Sequence, residues 1–282
     1  MSIFEDLEKI GDSLDFAKKL ESARITLVDK LPKPPPVIQI KNNQFSNPIT
    51  VGTKGNISVI KGRAKSRKSF ATAMIAASTV SDTEIYDRIS STVKNKLVVY
   101  FDTEQSGFYV QEVFSRIFQM STGPGFETRF YGYGLRRFAT AERLELIEWT
   151  MKNFKNIGFV VIDGIRDLVK DINSQSEATD IVTKLMQWSE DTGAHILTVL
   201  HENFEGGKLR GHLGTELLNK AETVLRVEKL DTDPAYSKLY CEDVRGLDFE
   251  PIFFTIDEFG IPYIDQEYCA KESRVSSFLE SR

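Results

Sequence analysis

Small and basic residues follow a short apolar segment near residue 60 of this chain. Gly62, Lys68 and Ser69 stand where the pattern G-x-x-x-x-G-K-[ST] places them, in the segment GRAKSRKS. Such a loop wraps backbone N–H groups around phosphates, while its lysine neutralises charge and its hydroxyl binds magnesium. The spacing therefore predicts a phosphate-binding loop. The predicted nucleotide-binding residues are Gly62, Arg63, Ala64, Lys65, Ser66, Arg67, Lys68, Ser69 and Phe70.

One position departs from this pattern, because Arg67 stands where the second glycine is expected. A backbone that needs a positive φ there excludes a non-glycine residue, whereas a slightly different turn tolerates one. An arginine beside phosphates can also add charge-assisted hydrogen bonds. The alternative for the whole segment KGRAKSRK is a solvated basic turn that binds no ligand.

Two apolar runs farther along the chain end in carboxylates, within VVYFDTEQS and FVVIDGIRD. Parallel strands bring their carboxyl ends to one edge of a sheet, where ligands of open α/β sheets bind. Asp163 is predicted to bind magnesium together with Ser69, and Glu104 to take a proton from an attacking water. The alternatives are a turn or cap role for Asp163 and an acidic helix start at Asp102 and Glu104.

A third apolar run, HILTVL, ends at His201 and is followed by Glu202 and Asn203. A polar group at this strand end can sense a γ-phosphate and pass its presence to the following loop. The alternative is a histidine satisfied by local hydrogen bonds.

The elements that must position these residues alternate between short β-rich runs and helical patterns. Strands are predicted at 57–60, 96–101, 128–133, 158–163 and 195–200, with helical patterns that include 140–154 and 176–192. In the last third, TVLRVEKL, YSKLYCEDV and PIFFTID alternate in strand fashion with short connections. The pattern predicts an α/β fold with a mostly parallel twisted sheet flanked by helices and antiparallel C-terminal edge strands.

The first residues form a separate region. Apolar residues recur there at steps of three or four, which predicts an amphipathic helix over residues 2 to about 22. Its stripe packs either on this chain or on a neighbouring subunit, and a segment with four prolines, residues 31–36, then marks a linker. The stripe consists of Ile3, Leu7, Ile10, Leu14 and Ala17.

Bulk composition narrows the classes of function. A length of 282 residues with 41% hydrophobic residues fits one large domain with short appendages. The net charge of −5 means that any nucleic-acid contact must be local. Two cysteines, Cys241 and Cys269, lack metal-ligand spacing and argue against a zinc site or a disulfide framework. The acidic N-terminus and the lack of a long apolar run predict a cytoplasmic location.

In their order along the chain, these motifs resemble those of the RecA-like P-loop ATPases. The branch in question contains hexameric plasmid-replication helicases of the RepA type and AAA-labelled ATPases of bacterial mobile elements. GRAKSRKS is similar to Walker A, FDTEQS to the segment with the catalytic glutamate, VVIDGIRDL to Walker B and LTVLHEN to the sensor strand, within roughly residues 50–258. KLRGHLGTELLNKAETVLRVEK resembles the loop, helix and strand that follow. A RecA-like ATPase domain is thus expected over 37–265, between an N-terminal region, 1–36, and a tail, 266–282.

The resemblance implies ATP and Mg²⁺ as cofactors, a homo-oligomer in the form of a hexameric ring, and single-stranded DNA as a partner. It gives Arg245, in the turn EDVRGLDFE, the role of an arginine finger that reaches a neighbour's γ-phosphate. Arg210 is the competing candidate, and either can be a plain surface arginine. By the same analogy, the loop 203–213 lines the ring channel, and Lys208 and Arg210 contact DNA phosphates.

The expected function is that of an ATP-hydrolysing motor acting on nucleic acid, helicase-like, in DNA replication or mobilisation. Its expected catalytic residues are Glu104, Lys68, His201 and Arg245. Because only a helix and a linker precede the core, a complete processive replicative helicase is not expected. The alternative, favoured by Arg67 and the net charge, is a nucleotide-dependent assembly or switch module with little ATP turnover. A third hypothesis is a structural protein with an inert loop.

Overall fold

The computed structural model describes residues 13–28, 30–42, 46–202 and 211–271. The chain divides into two compact units, residues 1–34 and residues 35–282. In the first unit, helix α1 covers Ser13–Ser22 and carries an ion pair between Lys19 and Asp15, with 2.5 Å between the charged atoms. Ile3, Leu7 and Ile10 of the expected apolar stripe lie outside the described residues, so the stripe stays a prediction.

The second unit alternates strands and helices along most of its length. Its elements are β1 Pro36–Ile40, β2 Ile49–Thr53, β3 Ile57–Gly62, α2 Lys68–Val80, β4 Ile89–Ser91, β5 Leu97–Asp102, α3 Gly107–Met120, α4 Gly125–Arg129, β6 Phe130–Gly134, α5 Thr140–Asn153, β7 Ile157–Asp163, the 3₁₀ helix Ile165–Leu168, α6 Gln175–Thr192, β8 His195–His201, α7 Gly211–Lys220, β9 Thr223–Lys229, β10 Ser237–Val244, β11 Ile252–Ile256 and β12 Pro262–Ile264. Residues 266–271 are also helical.

The described strands of the main sheet run in the order β12-β11-β10-β9-β3-β8-β7-β5-β6. All pairs from β9 to β6 are parallel, whereas β10, β11 and β12 pair antiparallel at the other side. The predicted fold class is confirmed: a mixed α/β fold with a mostly parallel central sheet, flanking helices and antiparallel edge strands.

The central parallel strands β3, β5, β7 and β8 are buried on both faces, which explains why they read as nearly continuous apolar runs. Successive residues of β5 point to opposite faces, so Val98 and Tyr100 join one core cluster while Val99 and Phe101 join the other. Helix α2 packs in the first cluster, and helices α5 and α6 contribute to the second. Rigid packing on both faces fixes the strand ends that carry the polar residues.

Strand register decides which polar residues meet. Asp102 at the end of β5 pairs with Asp163 at the end of β7. Gly62 at the end of β3 pairs with His201 at the end of β8. Because these strands are parallel, all four residues lie at the same carboxyl edge of the sheet.

Several features differ from the elements predicted from the sequence. A small sheet, in the order β2-β1-β4, strand β12 and the helical segment 266–271 had no counterpart among them, and helix α3 corresponds only to the alternative of a helix start near Glu104. The strand expected at 128–133 begins only at Phe130, because α4 includes Arg129. The buried guanidinium of Arg129 donates to Val80 O at 2.6 Å and to Val93 O at 3.3 Å. These bonds hold the α4 segment against the end of α2 and the loop after β4.

Both cysteines are buried and free. Cys269, on the helical segment 266–271, belongs to the core cluster of α2, and its Sγ lies 3.4 Å from the Phe253 backbone N. In the parts of the chain that the structure describes, no helix combines the length and apolar character needed to cross a bilayer.

Candidate functional site

The loop between β3 and α2 takes a strained path at the position where glycine was expected. Arg67 has φ 73° and ψ 28°, a left-handed conformation, and caps the N-terminus of α2. An L-residue other than glycine in this conformation costs about 1–2 kcal/mol. Of the two alternatives, the structure therefore shows a backbone that does adopt positive φ, with an arginine in it. The Arg67 guanidinium donates to Ala235 O at 2.6 Å, which offsets part of the cost.

At the start of the loop, Gly62 lies where a side chain would not fit. A Cβ atom at this position would stand 2.3 Å from Val227 O and 2.7 Å from Ser66 Oγ. Both are far inside van der Waals contact, so close backbone approach explains the glycine.

The Lys68 ammonium is folded back into the loop. Its Nζ donates to Gly62 O at 2.9 Å and to Arg63 O at 2.8 Å, and the side chain is buried. Burial lowers the pKa of Lys68 to about 8, although the nearby Asp163 and Glu104 carboxylates act in the opposite direction. The loop thus holds a cation that is largely removed from water, and an anion bound in the loop would stabilise this cation.

Asp163 lies at the tip of β7 as a buried carboxyl group. Tyr100 donates its hydroxyl to Oδ2 at 2.8 Å. Burial, with a further contribution from the charge of Asp102, raises the pKa of Asp163 to about 7. A cation beside this carboxylate would offset that cost, and its hard oxygen suits magnesium, as does the hydroxyl of half-buried Ser69. These donors therefore fit a magnesium ion.

Asp102 shapes the turn that presents Glu104. Its Oδ1 accepts the backbone N–H of Glu104 at 3.0 Å and of Gln105 at 2.7 Å. Thr103 donates its hydroxyl to Gly164 O at 2.9 Å and so ties the tip of β5 to the tip of β7. Asp102 is thus engaged in the turn itself, and of these two carboxylates it is Glu104 that lines the cleft.

Glu104 and His201 form a polar pair across two strand ends. His201 Nε2 lies 3.2 Å from Glu104 Oε2, and each side chain is a little more than a third exposed. The hydrogen bond from His201 lowers the pKa of Glu104, and the positive charges of Lys68 and Arg166 act in the same direction. Glu104 is therefore ionised at neutral pH, the state a proton acceptor needs.

These residues line a single cleft of about 430 Å³ at the carboxyl edge of the sheet. Lys68, Ser69, Glu104, Asp163 and His201, all predicted from the sequence, meet there. The remaining lining residues are Lys65, Arg67, Phe70, Gln105 and Arg116.

Sequence reasoning missed Arg116, Gln105 and Tyr100. Arg116 lies on α3 with its guanidinium carbon 4.4 Å from the centre of the Phe70 ring, and its Nε donates to Gly260 O at 2.9 Å. Gln105 donates its amide to Asp102 Oδ2 at 2.6 Å. Arg116 belongs to no motif, and Tyr100 reads as one more apolar strand residue. Only the adjacency of Gln105 to Glu104 was a usable signal.

Arg245 lies at the edge of the sheet opposite this cleft. It follows β10, whose last residue, Val244, pairs with Thr223 at the beginning of β9. Since β9 is parallel to β3, this end of the hairpin is at the amino edge of the parallel strands, opposite Lys68. Lys208 and Arg210 lie outside the described residues, so their contacts stay predictions.

A sequence profile of the AAA domain family matches residues 50–207, more than half of the chain. The chain belongs to the AAA domain family. The matched part of this AAA domain contains the phosphate loop, both carboxylate-bearing strand tips and His201. Membership supports an ATPase domain of the P-loop class that binds nucleotide. A comparison with curated proteins gives no match.

Proposed function

We propose that this AAA domain is a RecA-like motor of the RepA-helicase type that hydrolyses ATP and works on nucleic acid. One observation carries the proposal. A phosphate loop with a buried lysine, two carboxylates and a histidine from four different strand ends face a single cleft. Hydrolysis of a phosphoanhydride requires this combination of a cationic cradle and an ionised proton acceptor.

The binding roles follow from the geometry of the loop. The triphosphate lies against the loop 62–69 and the N-terminus of α2, whose backbone N–H groups favour an anion. Lys68 exchanges its bonds to Gly62 O and Arg63 O for phosphate oxygens. Ser69 and Asp163 would hold Mg²⁺, and the ion would neutralise phosphate charge.

Glu104 is the proposed acceptor of the proton from water. The water oxygen attacks the γ-phosphorus, its proton moves to the Glu104 carboxylate, and the bond to the bridging oxygen breaks with its electron pair leaving on ADP. His201, which now binds Glu104, is placed to respond to the γ-phosphate. The expected loop 203–213 ends earlier than predicted, because residues 211–213 belong to α7. Since Glu202 follows His201 directly and residues 203–210 come next, this response can reach the segment proposed to touch nucleic acid.

The oligomeric and nucleic-acid roles rest on the resemblance and on position in the fold. Arg245 is at the opposite edge of the sheet from its own cleft, so it can serve an ATP site only in a neighbouring subunit. This favours a head-to-tail ring, proposed to be hexameric, with Lys208 and Arg210 on the channel side and single-stranded DNA as the partner. Replication or mobilisation of DNA, by unwinding or translocation, is the proposed context.

The proposed hydrolysis is tested by Glu104→Gln. Loss of the proton acceptor is expected to lower kcat for ATP by about 10²–10⁴-fold while the dissociation constant for Mg·ATP stays nearly unchanged. Glu145→Gln, an exposed glutamate on α5 outside the cleft, is the matched control and should keep full turnover. Addition of single-stranded DNA should stimulate the wild type. A wild-type protein that binds no nucleotide at millimolar Mg·ATP would refute the proposal.

A second candidate, a nucleotide-dependent assembly switch with little turnover, is favoured by the strained Arg67 and by the pairing of Glu104 with His201. Size-exclusion chromatography with and without Mg·ATP separates the two. Assembly that depends on ATP without release of phosphate selects the switch, whereas turnover lost in Glu104→Gln selects the motor.

A further inference from the structure

A group of charged side chains lies on β3, β9, β10 and the residue after β8. We call this group the buried charge network; it consists of Lys61, Glu202, Arg226, Glu228 and Glu242. The side chains of Lys61 and Glu202 are 3% and 0% exposed. Charges removed from water to this degree are costly unless they are paired, so their arrangement is tightly constrained.

Glu202 is the centre of the network. Its Oε1 lies 3.5 Å from Lys61 Nζ and 3.0 Å from Arg226 Nε. Glu242 also contacts both cations, at 2.5 Å from Lys61 Nζ and 3.6 Å from Arg226 Nε, but its side chain is about a third exposed. Glu228 contacts Arg226 at 2.9 Å and also shares a side-chain hydrogen bond with Tyr240. Among these acids, Glu202 is thus the fully buried one that joins the cation of β3 to the cation of β9.

The same residue is bound through its backbone to the start of the phosphate loop. The Glu202 N–H donates to Gly62 O at 3.1 Å, and the same oxygen accepts the Lys68 ammonium at 2.9 Å. Lys61 directly precedes Gly62, and His201 directly precedes Glu202. Glu202 therefore binds the first residue of the phosphate loop through its backbone, contacts the neighbouring Lys61 through its buried carboxylate, and directly follows the histidine.

We propose that Glu202 is a positioning residue that holds His201 in contact with Glu104 and keeps the phosphate loop in register with the tip of β8. The inference rests on the proposed function for its effect on turnover, and on the apoprotein geometry for its effect on His201. Glutamine at this position removes one of the negative charges between Lys61 and Arg226. The two cations then separate, and the chain from Gly62 to His201 moves with them.

A double-mutant cycle tests whether Glu202 affects turnover through His201. Glu202→Gln is expected to lower kcat about tenfold with a change in KM below about threefold, since positioning acts on the reacting geometry more than on binding. Glu202→Gln combined with His201→Ala should lose no more activity than His201→Ala alone. Independent losses that multiply in the double variant would show that Glu202 acts through overall stability and overturn the proposal.

The apoprotein offers a second test that needs no ATP. The chain has three histidines, so ring signals of His195, His201 and His212 can be resolved by NMR in histidine-labelled protein. Glu202→Gln is expected to shift the His201 ring signals and leave His195 and His212 in place. Glu228→Gln, which removes a partly exposed carboxylate bound to Arg226, is the matched control and should shift none of them.

The two tests separate failure of this inference from failure of the proposed function. A wild type without turnover refutes the ATPase proposal, and the ring signals alone then decide the role of Glu202. Unchanged His201 signals in a folded Glu202→Gln protein, or equal changes at all three histidines, contradict positioning of His201 by Glu202.

Discussion

The two walls of the cleft are built in different ways. On the cationic wall, Lys68 binds carbonyl oxygens of its own loop, and Arg67 is held in a left-handed conformation by one bond to Ala235 O. On the acidic wall, side chains of neighbouring strands and turns hold the carboxylates, with Tyr100 bound to Asp163 and Gln105 to Asp102.

This difference in hydrogen bonding gives the two walls different roles. The acidic wall is organised before any ligand arrives, because its bonds use groups that a phosphate does not replace. The cationic wall is held by bonds that an anion can take over, and its buried ammonium has a lowered pKa that an anion would raise again. Binding free energy is therefore expected to depend on the loop, and the pH dependence of function on the strand tips.

The largest expected effect tests whether the ionised carboxylate of Asp163 on the acidic wall destabilises the folded protein. The folded-state pKa of Asp163, about 7, exceeds the ordinary value of 3.8, so the folded protein binds this proton more tightly than the unfolded chain. The resulting stability is present below about pH 4 and is lost as pH rises through 7. The free energy of unfolding of Asp163→Asn, relative to that of the wild type, should therefore rise by about 2–4 kcal/mol from pH 4 to pH 8.

Urea unfolding of the nucleotide-free proteins at the two pH values measures this gain. Asp180→Asn, on an exposed turn of α6, is the control and should differ from the wild type equally at both pH values. A pH-independent difference for Asp163→Asn would mean that its carboxyl group is not held in the protonated form.

The next effect concerns ligand binding to the cationic wall. Lys68→Met keeps the apolar stem and removes the charged donor, so affinity for Mg·ATP should fall by about 1.5–3 kcal/mol, more than tenfold. Titration with a fluorescent ATP analogue measures it. Lys155→Met, an exposed lysine at the amino edge of the sheet, should bind as the wild type does. Equal affinities in all three proteins would place the phosphates elsewhere.

A smaller effect measures the strain at Arg67. Arg67→Gly and Arg67→Ala both lose the bond to Ala235 O, but only alanine keeps the penalty of the left-handed conformation. The glycine variant should therefore be more stable than the alanine variant by about 1 kcal/mol in denaturant unfolding. If alanine proves equal or better, the backbone at this position is not left-handed in solution.

The smallest effect probes the bond between the strands of the acidic wall. The Tyr100 hydroxyl favours the ionised form of Asp163, so Tyr100→Phe should raise the pKa of this carboxyl group further. The acid limb of kcat/KM for ATP should then move to higher pH, while the rate at high pH changes little. Tyr133→Phe, half-buried on β6 and outside the cleft, should leave the limb in place.

Much of the cleft could be predicted because its parts are contiguous in sequence. Gly62, Lys68 and Ser69 belong to one loop motif, and Asp163 and His201 each end an apolar run. Tyr100 and Glu202 gave no such signal, because their roles depend on partners 63 residues and more away, such as Asp163 and Lys61. The small sheet escaped prediction for a similar reason, since its strands β1, β2 and β4 are short and pair across intervening segments.

By itself, the sequence determined that several strands would end in polar residues and that a phosphate loop would follow β3, because these are properties of local spacing. Tertiary structure alone decided that Asp102 faces Asp163 and that Gly62 faces His201. Strand register is set by packing on both faces of the sheet, and a shift of one residue would turn every side chain to the other face. The cleft therefore exists only once the two cores are formed.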